Sequence, residues 1–175
     1  MSIKSRIRSI PDYPKPGILF RDITTLLQDP QGLRDSIDGL LDAVEGMAID
    51  KVASVEARGF ILGGSIAREL GVGFIPVRKQ GKLPWSTIGE EYQLEYGTDR
   101  IEIHTDAVSA GENVLLVDDL IATGGTLLAS IRVVERAGGK IAACAVVVDL
   151  PDLGGAQKLE QAGYKVISLC EFEGE

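Results

Sequence analysis

The residues from Asn113 to Thr126, NVLLVDDLIATGGT, join an apolar run, two adjacent acids and a small-residue turn with no spacer between them. Val114, Leu115, Leu116 and Val117 form a run short enough for a central parallel strand, so Asp118 and Asp119 are expected where that strand ends. Ligands of open α/β sheets bind outside those carboxyl ends. Ala122, Thr123, Gly124, Gly125 and Thr126 follow, and then Leu127, Leu128, Ile131 and Val134 recur at the three- and four-residue spacing of a helix face. The turn therefore lies at a helix N-terminus, where free N–H groups and the helix dipole favour an anion and glycines admit it closely. Such a turn suits a phosphate.

The two acids narrow the choice of anion. A triphosphate site of the P-loop kind needs Lys and then Ser or Thr after its last glycine, whereas Gly125 is followed by Thr126 and Leu127. A dinucleotide site needs GxGxxG, which this turn lacks. Asp118 and Asp119 offer acceptors just before the turn, where the vicinal hydroxyls of a sugar could donate to them. The pattern suits a ribose 5-phosphate; the alternative is a buried strand that ends in solvated acids. The segment resembles the phosphoribosyl pyrophosphate signature of the type I phosphoribosyltransferases. That resemblance implies that Asp118 and Asp119 hold the ribose hydroxyls while Ala122, Thr123, Gly124, Gly125 and Thr126 hold the 5-phosphate.

Strand and helix patterns alternate along the chain. Strands are expected at 52–56, 73–77, 114–118, 141–148 and 165–169, and helices near 31–46, 60–70, 126–137 and 155–162. This order predicts an α/β fold: a doubly wound, mainly parallel sheet flanked by helices, in a single domain spanning 1–175. Tyr92, Leu94, Tyr96, Ile101 and Ile103 alternate at period two about Gly97–Thr98–Asp99, which predicts a hairpin turning there. The basic stretch Arg78–Lys79–Gln80–Gly81–Lys82 leads into it, so the segment from about 78 to 105 is expected to form a mobile flap. Pro11, Pro14 and Pro16 bar the N-terminal segment from a central strand or helix interior and predict a stiff, extended hood within about residues 1–30.

Four further segments carry the resemblance toward a substrate. Glu56–Ala57–Arg58–Gly59–Phe60 ends one strand and enters a helix, which places N–H groups and a guanidinium at the same sheet edge. The alternative for Arg58 is a surface ion pair at a helix start. EARGF is similar to the adenine phosphoribosyltransferases in particular, in which this loop, with Ala57 and Arg58, grips pyrophosphate. The stretch Pro11 to Thr24 resembles that family's hood. By that likeness Leu19 and Arg21 offer main-chain hydrogen bonds to adenine, Phe20 stacks on one face of the base and Leu120 closes the other. RKQGKLP resembles the family's flexible basic loop, so Arg78, Lys79 and Lys82 are implied to meet pyrophosphate, with Gln80 standing where relatives often carry a base. Glu95 and Tyr96 match the LEYG element, which implies Glu95 as the general acid at the purine and Tyr96 as part of the flap; by alternation alone Glu95 is an outward strand residue. His104 matches no role and reads as structural.

Composition is consistent with this reading. A hydrophobic content of 45% is enough for a real core, and a formal net charge of −8 argues against a general nucleic-acid surface. The longest apolar run, Ile141 to Val148, is too short to span a bilayer, and no signal-peptide pattern follows the basic N-terminal residues; a cytoplasmic protein without a membrane partner is expected. Cys144 and Cys170 read as inert core residues. The resemblance implies adenine and phosphoribosyl pyrophosphate as substrates, Mg²⁺ bound mainly through substrate oxygens with Asp118 and Asp119 in reach, and a homodimer. The rival readings are a different base specificity and a regulatory phosphoribosyl pyrophosphate sensor. FRDIT and EARGF oppose the first, and the acidic charge opposes the second.

Overall fold

The computed structural model describes residues 1–94 and 96–174. Strands β1 (Arg8–Pro11) and β2 (Leu19–Asp22) form an antiparallel ribbon, followed by helices α1 (Thr24–Gln28) and α2 (Pro30–Ala43). Strand β3 (Lys51–Val55), helix α3 (Arg58–Leu70) and strand β4 (Gly73–Lys79) make the first βαβ unit. The hairpin β5 (Thr87–Leu94) and β6 (Gly97–His104) follows. Then come β7 (Asn113–Ile121), α4 (Gly125–Arg136), β8 (Lys140–Asp149), α5 (Gly155–Gln161) and β9 (Val166–Glu171).

The main sheet has the order β5-β6-β4-β3-β7-β8-β9. Pairings from β4 through β9 are parallel, whereas β6 joins β4 antiparallel and so attaches the hairpin to one edge. The expected doubly wound, mainly parallel sheet is therefore present. The sheet divides the core in two because successive side chains of a strand point to opposite faces. In β7, Leu115 and Val117 pack with Leu62 and Ile66 of α3, while Val114 and Leu116 pack with Leu127, Ile131 and Val134 of α4. Strands β3 and β7 are neighbours whose crossovers leave in opposite directions, and the crevice at their carboxyl ends is the topological switch point.

Two expectations need correction. Strand β7 does not end at Asp118; it pairs with β8 through Leu120↔Val148 and Ile121↔Asp149, so both acids lie inside the ladder. The hairpin does not turn at Gly97–Thr98–Asp99 either. Leu94 pairs with Gly97, which leaves Thr98 and Asp99 in β6 opposite Gln93 and Tyr92. Alternation identifies the two strands but not the rung on which they close, and register is set by what each face packs against.

Local signals account for the helix boundaries. Asp29 caps α2, accepting from the Gly32 N–H at 2.9 Å, and Pro30 takes the first helical position where no N–H is needed. Helix α3 ends at Gly71, whose left-handed backbone lets its N–H turn back to the carbonyls of Ala67 and Arg68.

Candidate active site

A cavity of about 320 Å³ lies at the switch point, lined by Glu56, Ala57, Arg58, Lys79, Asp118, Asp119 and every residue from Leu120 to Leu127. Its floor is the turn between β7 and α4. Gly124 has a φ of +84°, which a side chain disfavours, and the Leu128 N–H donates to its carbonyl at 2.9 Å to begin the helix. The N–H groups of the first turn of α4 have no intrahelical acceptor, which gives this floor a positive partial charge. Gly155 braces the turn from behind. Its N–H donates to Ala122 O at 3.0 Å, and a Cβ there would lie 2.4 Å from that oxygen and 2.7 Å from Gly124 N.

Opposite the turn, the Glu56–Ala57 peptide is cis and α3 begins at Arg58. The hydroxyl of Ser54, fully buried in β3, lies 2.6 Å from both Gly59 O and Val117 O, so a single group holds the start of α3 against β7. Gly59 is needed at that approach, because a Cβ would meet Asp118 Oδ1 at 2.9 Å and Ser54 Oγ at 3.0 Å.

Three of the expected pyrophosphate cations face a carboxylate. Arg58 Nε donates to Asp119 Oδ2 at 2.5 Å. Arg78 Nε lies 3.4 Å from Glu56 Oε1, and the ammonium of Lys79 binds Asp99. Burial lowers the affinity of Arg58 for its proton, but the hydrogen bond to Asp119 and the charges of Asp119 and Asp118 outweigh it and push the guanidinium up. Asp118 is pushed well above the ordinary carboxylate range, first by burial and then by the neighbouring charge of Asp119. The adjacent acids are thus chemically distinct: Asp119 is held by a cation, and Asp118 is the carboxyl that resists ionisation.

A second cavity, of about 390 Å³, is formed by Ile18, Leu19, Phe20, Arg21, Arg58, Leu120, Ala122, Leu150 and Leu153. It contains all four residues expected at the base. Phe20 is fixed edge-on by Tyr13, with ring centroids 5.2 Å apart. The guanidinium of Arg21 donates to Ser9 Oγ at 2.5 Å and lies over the Phe172 ring at 4.3 Å. Arg58, Leu120 and Ala122 line both cavities, so the apolar pocket is adjacent to the crevice at the switch point.

Not every expected residue converges. Arg78 and Lys79 stand within β4, paired with Glu102 and Ile101 of β6, and not in a free loop. Lys79 N–H donates to Glu56 Oε1 at 2.6 Å, and of the three basic residues of that stretch Lys79 alone is among the lining residues. Lys82 is exposed outside both cavities. Tyr96 is 80% exposed, and Lys15 lies over its ring at 4.2 Å, so the hairpin tip touches the N-terminal segment. Glu95 lies outside the described residues. His104 Nε2 is 2.6 Å from Pro84 O, a structural contact.

The match to known proteins agrees with this geometry. Residues 23–173 match the phosphoribosyl transferase domain. An adenine phosphoribosyltransferase of Parvibaculum lavamentivorans is 61% identical over 174 residues, which cover 99% of each chain. The chain belongs to the adenine phosphoribosyltransferase family. Among solved structures of that family, the one from Thermoanaerobacter pseudethanolicus superposes with a TM-score of 0.93 at 52% identity, covering 97% of this chain and 98% of the other. The Saccharomyces cerevisiae enzyme, complexed with an imino-altritol bisphosphate and adenine, superposes with a TM-score of 0.89 at 38% identity and covers 96% of each chain.

Sequence reasoning missed several residues that shape this candidate site. Ser54 and Gly155 act through backbone approach across the sheet, which no local pattern reports. Glu56 and Asp99 pair with cations distant in sequence. Lys15 stands between prolines as an ordinary surface residue. The one usable signal is Gly154–Gly155 before a short helical pattern, where paired glycines mark a close backbone approach.

Proposed function

We propose that this chain transfers the 5-phosphoribosyl group of phosphoribosyl pyrophosphate to N9 of adenine, giving AMP and pyrophosphate, as a cytoplasmic step of purine salvage. The observation that carries this reading is the adjacency of the two cavities, which share Arg58, Leu120 and Ala122, as a base beside a sugar phosphate requires. The adenine and bisphosphate held by the yeast relative support it.

In this reading Ala122 to Thr126 hold the 5-phosphate on the first turn of α4, and Asp118 and Asp119 take the ribose hydroxyls. Ala57, Arg58, Arg78, Lys79 and Lys82 meet pyrophosphate. Residues 1–30 act as a hood, in which Leu19 and Arg21 read adenine through their main chain while Phe20 and Leu120 enclose the ring. Residues 78–105 act as a flap that excludes water and carries Tyr96 to the site. N9 attacks the anomeric carbon as its bond to pyrophosphate breaks, and the electron pair departs with pyrophosphate. Adenine reacts as the tautomer that carries its proton on the other imidazole nitrogen, and Glu95 is assigned to take that proton as N9 attacks, so that it is the general base in this direction and the general acid in the reverse.

Among the described residues no three His, Cys, Asp or Glu side chains converge on a metal cage. The hard oxygens of Asp118 and Asp119 nevertheless fit Mg²⁺ that takes most of its ligands from substrate. Bound there, the ion would offset negative charge on the pyrophosphate. Ile61 and Phe74 are exposed beside Phe60 and offer an apolar face for a second copy, which supports a homodimer; light scattering at micromolar concentration tests this. No helix among the described residues is long and apolar enough to cross a membrane.

The test is pyrophosphate release from phosphoribosyl pyrophosphate and Mg²⁺ with adenine, hypoxanthine, guanine, xanthine or uracil supplied singly. Turnover with adenine alone is expected. Turnover with another base would overturn the hood assignment, and none with any base would favour a sensor.

A further inference from the structure

Lys79 lines the phosphate cavity, yet its ammonium is turned toward the hairpin. Nζ donates to Tyr92 Oη at 2.5 Å and to Asp99 Oδ2, and Tyr92 Oη donates to the same carboxylate oxygen at 3.2 Å. Tyr92 and Asp99 face each other across β5 and β6, so one rung of the hairpin grips the cation from two sides. Neither residue lines the phosphate cavity. Asp99 Oδ1 accepts from the Arg100 N–H at 2.8 Å, which fixes the carboxylate plane. The Lys79 hydrogen bond holds the Asp99 carboxyl below its ordinary range, and the Asp99 and Tyr92 contacts outweigh burial to hold Lys79 above its own. Both partners therefore remain charged at neutral pH.

We propose that Asp99 is a positioning residue that competes with pyrophosphate for the ammonium of Lys79, so that pyrophosphate enters and leaves by exchanging with a carboxylate of the hairpin. The proposal rests on the reading of Lys79 as a pyrophosphate ligand. A lysine suits the exchange, because its flexible stem carries a point charge between partners without the geometric demands of a guanidinium. The pair is about one-third exposed on each side, so its strength is that of a surface ion pair, small enough to be displaced by a polyanion. When pyrophosphate departs, Asp99 recaptures the ammonium, which limits how tightly the product is held.

Steady-state kinetics of the full chain with Asp99→Asn, Tyr92→Phe and Lys79→Ala tests this. Asp99→Asn is expected to lower both the KM for phosphoribosyl pyrophosphate and the inhibition constant of pyrophosphate by about two- to fivefold, the range of an exposed pair. Lys79→Ala is expected to raise both constants. Tyr92→Phe, which keeps the ring in the core and removes the hydroxyl, should move both constants in the direction of Asp99→Asn and replaces that variant should it not fold. Unchanged or raised constants in Asp99→Asn, with Lys79→Ala raising them, would overturn the exchange while leaving Lys79 a ligand. Unchanged constants in Lys79→Ala would remove Lys79 from the pyrophosphate site and the proposal with it.

Discussion

Arg58 Nε donates to Asp119 Oδ2 at 2.5 Å, tying the first residue of α3 to β7 at the crevice of the switch point. The carboxylate is nearly buried while the guanidinium is half exposed, so the pair presents a cation to the cavity and keeps its acid out of water. Removing Arg58 leaves that acid without its charge-assisted bond. Arg58→Ala is expected to raise the KM for phosphoribosyl pyrophosphate about 10–100-fold, the range for hydrogen bonds to charged groups. Isothermal titration calorimetry with phosphoribosyl pyrophosphate and Mg²⁺ checks this, and unchanged affinity would take Arg58 out of the site.

Asp118 is predicted to lower stability in return for function. Burial and the Asp119 charge raise its folded-state pKa well above 3.8, so the folded chain binds a proton there more readily than the unfolded chain. The site therefore costs stability increasingly as pH rises above 3.8 through the folded-state value. Asp118→Asn removes that cost. At pH 7 its Tm is expected to exceed that of the parent by about 2–4 °C, while affinity for phosphoribosyl pyrophosphate falls. Scanning calorimetry at a series of pH values above 3.8 should show the gap widening as pH rises.

Two glycines should respond in opposite ways to the same change. A Cβ on Gly155 would press on the backbone of the phosphate turn, 2.4 Å from Ala122 O, whereas one on Gly64 meets nothing within 4 Å. Gly155→Ala is expected to lower kcat/KM about 100-fold by displacing the turn. Gly64→Ala, inside α3, should raise Tm by about 1–4 °C with activity intact. Thermal melts and initial rates on both variants distinguish a steric effect at the turn from general sensitivity of glycine positions.

Acid stability should depend on Asp22, which joins β2 to Arg8 and to the start of α1. The Arg8 hydrogen bond, reinforced by the Thr24 N–H, lowers its pKa from the ordinary 3.8 to about 2. A depressed carboxyl stabilises fully above 3.8 and loses that contribution as pH falls toward 2. Because Arg8 is half exposed, the contribution is about 1–2 kcal/mol. Asp22→Asn should be less stable than the parent at pH 6, and the two should converge near pH 2 in urea melts followed by circular dichroism.

Glu95 is tested by an isosteric change. Glu95→Gln removes the carboxylate that exchanges a proton with the purine and is expected to lower kcat by about 10²–10⁴-fold while the KM for phosphoribosyl pyrophosphate moves far less. Equal loss in both constants would assign the residue to binding.

Much of the fold was legible because it rests on local periodicity. The run Val114–Val117, the spaced apolar residues after Thr126 and the alternation about Tyr92 each report a burial pattern within a single element. The glycine turn before α4 was equally legible, since its glycines and its place before a helix are contiguous in the chain. The end of β7 and the turn of the hairpin were not, because both depend on which rung meets which partner.

By itself the sequence determined the alternation of strands and helices, the glycine turn at the start of α4 and the residue types gathered around it. The tertiary structure alone decided how those residues divide their labour. Arg58 and Asp119 stand 61 positions apart, and their meeting follows from β3 lying beside β7 in the sheet. The same adjacency sets the half-buried Asp118 against Gly59 at the start of α3. The register of β5 on β6, and of β6 on β4, sets Tyr92 and Asp99 around Lys79. Local patterns encode which face of each element is buried, whereas the pairing of charges across elements depends on strand order and register, which only the assembled sheet specifies.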